Sequence, residues 1–91
     1  FDGTPVEIKA AMNRHSDGHP GTFKLYDQYH DRLRASGGWY VFALYRIRGR
    51  GIQVLDWEMR HSSRLPNFHW HGGGSHRDAL QAKIEISRLF D

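Results

Sequence analysis

The sequence contains no cysteine. Disulfides and cysteine-ligated zinc are therefore excluded. No run approaches the ~20 consecutive apolar residues of a membrane-spanning helix, and no signal peptide is visible at the start. A cytoplasmic protein with no membrane partner is expected. There is no internal repeat, no G-x-S-x-G elbow, no P-loop and no dinucleotide-binding glycine fingerprint. No Ser/His/Asp arrangement can be assigned. Lysine is scarce: Lys9, Lys24 and Lys83 stand against ten arginines. The chain begins with Phe1 rather than Met, which suggests processing or a fragment.

What is present points to one small folded domain, residues 1–91, with a modest core. The hydrophobic fraction is 38%, with three Trp, four Tyr and five Phe, enough for a globular fold. A charged content of 25% and a net charge of +3 do not fit disorder. The arginine forks suit phosphate oxygens. Seven histidines add positive charge below about pH 6.5. A basic excess of this kind fits a polyanionic partner.

The hydrophobic pattern gives a coarse order of elements. Residues 5–10 alternate, with Val6 and Ile8 apolar and Glu7 and Lys9 charged. Period two marks a strand with one buried face. Residues 13–21 are rich in polar residues, Gly and Pro and read as a loop. Thr22 is a candidate N-cap for a helix over 23–35, with Tyr26, Tyr29 and Leu33 as its apolar stripe. Gly37-Gly38 supplies the stop. Residues 39–45, WYVFALY, read as a strand buried on both faces. Gly49-Arg50-Gly51 predicts a tight hairpin turn. Residues 52–59 return as an alternating strand, with Ile52 and Val54 on one face. Residues 60–74 read as irregular. Residues 75–78 look like a helix start, but the alternation after them favours a short turn and then a strand. The expected fold is α/β, a mixed central sheet with a flanking helix.

The pair Glu7-x-Lys9 carries the most chemistry. Residues i and i+2 of a strand project from the same face. A carboxylate can bind Mg²⁺ through oxygen. A neighbouring ammonium can hold an attacking water or stabilise charge on a phosphate. Together they suit metal-assisted phosphodiester hydrolysis. The same pair also suits a plain surface strand, where Glu and Lys make solubilising contacts.

The run Val6-Glu7-Ile8-Lys9-Ala10, then a loop, an aromatic helix with Gln28, Gly37-Gly38 and a buried strand, resembles the PD-(D/E)xK nuclease superfamily, nearest its archaeal Holliday junction resolvase and restriction-endonuclease-like branch. The resemblance covers residues 5–55. It implies a restriction-endonuclease-like core, a Mg²⁺ or Mn²⁺ cofactor, a DNA substrate and a possible homodimer. Glu7 would be the metal-binding carboxylate and Lys9 the catalytic lysine. Gln28 would be the polar residue beside the site. The family's usual upstream Asp is not matched: Asp2 lies only five residues before Glu7. Either Asp2 is the second metal ligand, or that Asp lay upstream in a segment this chain lacks, or the site is dead.

Arg46, Arg48 and Arg50 recur at every second residue into the Gly-flanked turn and are candidates for the phosphate backbone. Arg14, in the first loop, and Arg60 and Arg64, flanking Ser62-Ser63, extend the DNA-binding set. His69, His71 and His76, with His61, form a local imidazole group that could take zinc or nickel. Phe68 and Trp70 could stack on unpaired bases. Three functions compete: a metal-dependent DNA endonuclease, a non-catalytic nucleic-acid-binding or assembly module on the same fold, and a structural domain with a histidine metal site.

Overall fold

The computed structural model describes residues 3–65, 70–73 and 76–90, without the side chains of 73 and 76–79. Its first sheet has the order β1-β3-β4. Strand β1 (Val6–Met12) runs parallel to β3 (Trp39–Arg48), and β4 (Gly51–His61) returns antiparallel. Among the described residues β1 and β4 are its edges. The second sheet is antiparallel and has the order β2-β6-β5, from β2 (Thr22–Tyr26), β5 (His71–Gly73) and β6 (His76–Glu85). One helix, α1 (Asp27–Ala35), follows β2 directly. The expected mixed sheet with a flanking helix is present. The second sheet was not foreseen.

The predicted helix start is corrected. Thr22 is no N-cap; it opens β2, and the helix begins only at Asp27. Phe23 and Leu25 are fully buried while Lys24 between them is exposed, which is strand alternation. They stand opposite Ile84 and Ala82 of β6. Asp27 then places a carboxylate on the first turn of α1, where the helix dipole favours it. That carboxylate accepts hydrogen bonds from the Gln28 and Leu80 amides at 2.8 and 3.1 Å. The buried stripe of α1 is His30 and Leu33; Tyr29 is 56% exposed.

The helix ends as its glycines predict. Gly37 has φ +66. The Gly38 amide donates to the Leu33 carbonyl at 2.8 Å. A Cβ on Gly38 would collide with the Leu33 side chain and lie 2.9 Å from the Pro5 carbonyl oxygen. The hairpin is also as expected: Arg48 pairs with Gly51, and Gly49 has φ +61.

Residues 60–74 are more regular than expected. Arg60 and His61 finish β4, a 3-10 turn covers Ser62–Arg64, and His71–Gly73 form β5. Residues 76–78, which resemble a helix start and were expected in a short turn, already belong to β6, and the strand expected after them is present.

The core lies between the two sheets. Tyr40 and Phe42 of β3 meet Phe23 and Leu25 of β2, Ile84 of β6, Leu33 of α1, and Leu89 and Phe90. Phe23 and Phe42 pack edge to face at 5.0 Å between centroids, the geometry that ring quadrupoles favour. Strand β3 is not buried on both faces as expected. Tyr40 and Phe42 are buried, while Trp39, Val41 and Ala43 on the other face are only half-buried.

Candidate active site and basic trough

Glu7 and Lys9 share a face of β1, as their spacing requires. It is the inner face. Glu7 stands opposite Tyr40 and Lys9 opposite Phe42. Val6 and Ile8 point away from the core, against the pattern's plainest reading, while Ala11, on the face of Glu7 and Lys9, joins it. Ile8 is 69% exposed, whereas the Lys9 side chain is 20% exposed and Glu7 48%. The Lys9 ammonium lies 3.6 Å from the Glu7 carboxylate and 5.7 Å from the centre of the Tyr26 ring. An ion pair and a cation–π contact thus fix it from two sides.

Beneath this pair is a buried polar couple. The Tyr40 hydroxyl and His30 Nδ1 share a hydrogen bond of 2.8 Å. Burial raises the Tyr40 pKa, helped by the Glu7 and Asp31 carboxylates, so the phenol stays neutral. Burial, and then Arg34, lowers the His30 pKa. At neutral pH the couple is an uncharged floor under Glu7. Neither residue was picked out from the sequence, since the contact depends on α1 crossing β3.

Gln28 sits exposed on the first turn of α1. Asp2 lies outside the described residues. No three His, Cys, Asp or Glu side chains converge as metal ligands among the described residues. Glu7 offers one half-exposed carboxylate. Mg²⁺ is commonly held by one or two carboxylates, with water and substrate phosphate completing its shell. Glu7 fits as one such donor, and only as one.

The arginines fall into two groups at opposite ends of the first sheet. Arg14 and Arg46 line one cavity with His15. Arg48 and Arg50 are exposed at the neighbouring hairpin tip. Arg60 and Arg64 line another cavity with Trp39 and His61. Nine residues of β4 lie between Arg50 and Arg60, about 30 Å of strand. Arg60 is held by Glu58 at 2.8 Å and by the Leu89 carbonyl at 3.2 Å, so it ties β4 to the chain's last turn.

Within the histidine group, His69 lies outside the described residues, as does the side chain of His76. Both ring nitrogens of His61 are engaged, with Ser63 Oγ at 2.7 Å and the Gly37 carbonyl at 3.1 Å. His61 therefore serves the local structure. Phe68 also lies outside the described residues, while Trp70 packs against His30 at 5.7 Å.

The unpaired edge of β1 opens onto a further cavity. It is lined by Lys9, His15, Lys24, Tyr26 and Tyr45. Of these only Lys9 was singled out in the sequence for a site. Lys24 and Tyr26 were hidden by the helix expected over 23–35.

A family model described as a PD-(D/E)XK nuclease superfamily domain matches residues 1–91. The chain belongs to the PD-(D/E)XK nuclease superfamily. The mixed sheet with one helix is consistent with that superfamily's α/β fold. Neither the curated proteins nor the solved structures gave a match. Superfamily membership suggests a nuclease with a nucleic-acid substrate. No helix among the described residues is long and apolar enough to cross a membrane.

Proposed function

We propose that the chain is the catalytic domain of a divalent-metal-dependent DNA endonuclease, resolvase- or restriction-like in type. One observation carries this reading: within a PD-(D/E)XK superfamily chain, Lys9 is held 3.6 Å from Glu7 on an edge strand open to substrate. Glu7 would hold the ion, with Asp2 as second ligand. A bound Mg²⁺ or Mn²⁺ supplies polarisation of the phosphate and an acidified water. Lys9 places its ammonium against the charge that develops on the phosphate oxygens. Gln28 is proposed as a polar neighbour. Tyr40 and His30 hold the floor rigid and uncharged, so the field at the phosphate comes from Lys9 and the ion.

The test is cleavage of labelled linear, single-stranded and branched DNA in Mg²⁺, Mn²⁺ or EDTA. Lys9→Ala is expected to lower the rate by about 100-fold or more, with Glu7→Ala at least as severe. Both should melt like the parent, since each side chain is partly exposed. Activity surviving in both variants would sink this assignment.

A second reading is favoured by the absence of a three-ligand metal group among the described residues. On that reading the chain binds nucleic acid without cutting it. Salt-sensitive DNA binding with no product in either metal would select it.

A further inference from the structure

Two adjoining cavities lie beside β1, an edge strand among the described residues, and beyond its C-terminal end. The first, about 360 Å³, has Lys9, Lys24, Tyr26 and Tyr45 in its wall. The second, about 610 Å³, has Arg14, Ser16 and Arg46. Met12 and His15 line both, so the two form one trough. It starts at Lys9 and ends at Arg46, beyond the C-terminal end of β1. Among the described residues four permanent cations and a histidine line it and no carboxylate does, Glu7 standing just outside it against Lys9. In a chain with ten acidic residues, such segregation of charge favours an anionic occupant.

Two further features narrow the occupant. Lys24 stands directly opposite Lys83 in the β2–β6 pairing, and both are exposed. Like charges placed so repel one another, and an anion lying over β2 relieves the repulsion. Tyr26 and Tyr45 add aromatic rings to the wall beside Lys9. Cations that follow a backbone, with aromatics for stacking, are how proteins hold unpaired nucleic acid. Each cavity has the volume of a small-molecule site, the scale of single nucleotides rather than of a duplex.

We infer that the trough holds an unpaired nucleic-acid strand, with phosphates on Lys24, Arg14 and Arg46 and a base against Tyr26 or Tyr45. The strand is led in this way to Lys9. That destination rests on the nuclease reading above; the binding itself does not. The walls are held together at the backbone. The Gly21 amide bonds the Met12 carbonyl at 3.0 Å, and a Cβ at Gly21 would come within 2.5 Å of that same oxygen.

The experiment is fluorescence anisotropy in EDTA, with a labelled mixed-sequence single-stranded oligonucleotide and the duplex of the same sequence. The single strand is expected to bind at least tenfold more tightly than the duplex. Lys24→Ala and the pair Arg14→Ala/Arg46→Ala should each weaken it about tenfold and flatten the salt dependence. Tyr26→Leu should weaken it similarly, and Tyr26→Phe should restore it. Arg32→Ala, an equal loss of charge on α1, should change it less than twofold. Melting curves confirm that each variant is folded. Equal affinity for duplex and single strand, or full binding by folded trough variants, overturns the inference. Trough binding without cleavage in any metal would instead sink the nuclease reading alone. Metal-dependent cleavage that folded trough variants retain in full would sink the trough alone.

Discussion

Lys9 and Ile8 are neighbours on one strand, yet the lysine is the more buried of the two. A lysine is covered in this way only where its charge has partners, here Glu7 and the Tyr26 ring. Ile8 contributes little to the fold by comparison. Ile8→Thr should cost under about 0.5 kcal/mol, as surface changes do. Phe42→Ala should cost about 3–5 kcal/mol. Urea unfolding of the two variants measures the contrast, and similar losses would mean that Ile8 is covered. The His30–Tyr40 couple makes a prediction about pH. The lowered pKa of His30 means the unfolded chain binds the proton more readily. Stability from this residue is therefore complete above about pH 6.5 and is lost as pH falls toward the native pKa. Tyr40 acts at the other end, since its pKa is raised. Its contribution is complete below about pH 10 and is lost as pH rises past it. Melting temperature against pH should show both limbs, and Tyr40→Phe should remove the alkaline one. The same variant should cost about 1–3 kcal/mol at neutral pH, because His30 loses a buried partner.

At the level of elements, the sequence was most readable where local chemistry decides. The alternation of Glu7 and Lys9, the glycine stop after α1 and the two-residue hairpin all depend on neighbours a few positions apart. Strand β2 was not readable because Phe23, Leu25, Tyr26 and Tyr29 satisfy a helical period as well as an alternating one. Pairing with β6, some sixty residues later, decided between them. The trough escaped notice for the same reason. Its walls come from β1 and β2, which the 13–21 loop brings together at the Gly21–Met12 hydrogen bond and the Lys9–Tyr26 contact. Strand β4 hides a subtler device. Leu44 pairs with Asp56 and Tyr45 with Val54, so Leu55 is an extra residue, a bulge. The bulge re-phases the strand, and Ile52 and Val54 come to share a face with Trp57 and Met59. The close approach at the end of α1 yields the test at this scale. Gly38→Ala should destabilise by about 1–3 kcal/mol, as overpacking does. Its Cβ meets the side chain of the buried Leu33 and the Pro5 carbonyl, which the Trp39 amide holds at 3.0 Å. Loss of less than a few tenths in chemical denaturation would show that β1 gives way.

For the molecule as a whole, the two faces of the first sheet invert the usual order. Its inner face carries Glu7, Lys9, Glu58 and Arg60 beside the buried Tyr40 and Phe42. Its outer face carries Ile8, Ile47, Ile52, Val54, Trp57 and Met59, all exposed. The charged residues face inward because the site needs them beside the core's rigid aromatic floor, and the alternation of each strand then sends the apolar residues out. A continuous apolar face of six such side chains exceeds the scattered exposure normal for a small protein. The chain should therefore bind an environment-sensitive apolar dye in its native state, well below the melting transition. The double variant Ile52→Thr/Trp57→Ser should lose most of that dye signal. It should keep its melting temperature within a few degrees, because neither side chain belongs to the core cluster. It should also keep the affinity for nucleic acid, since the trough does not use either residue. Dye binding that persists in the variant would place the apolar surface elsewhere. A large fall in melting temperature would mean that this face is covered within the chain.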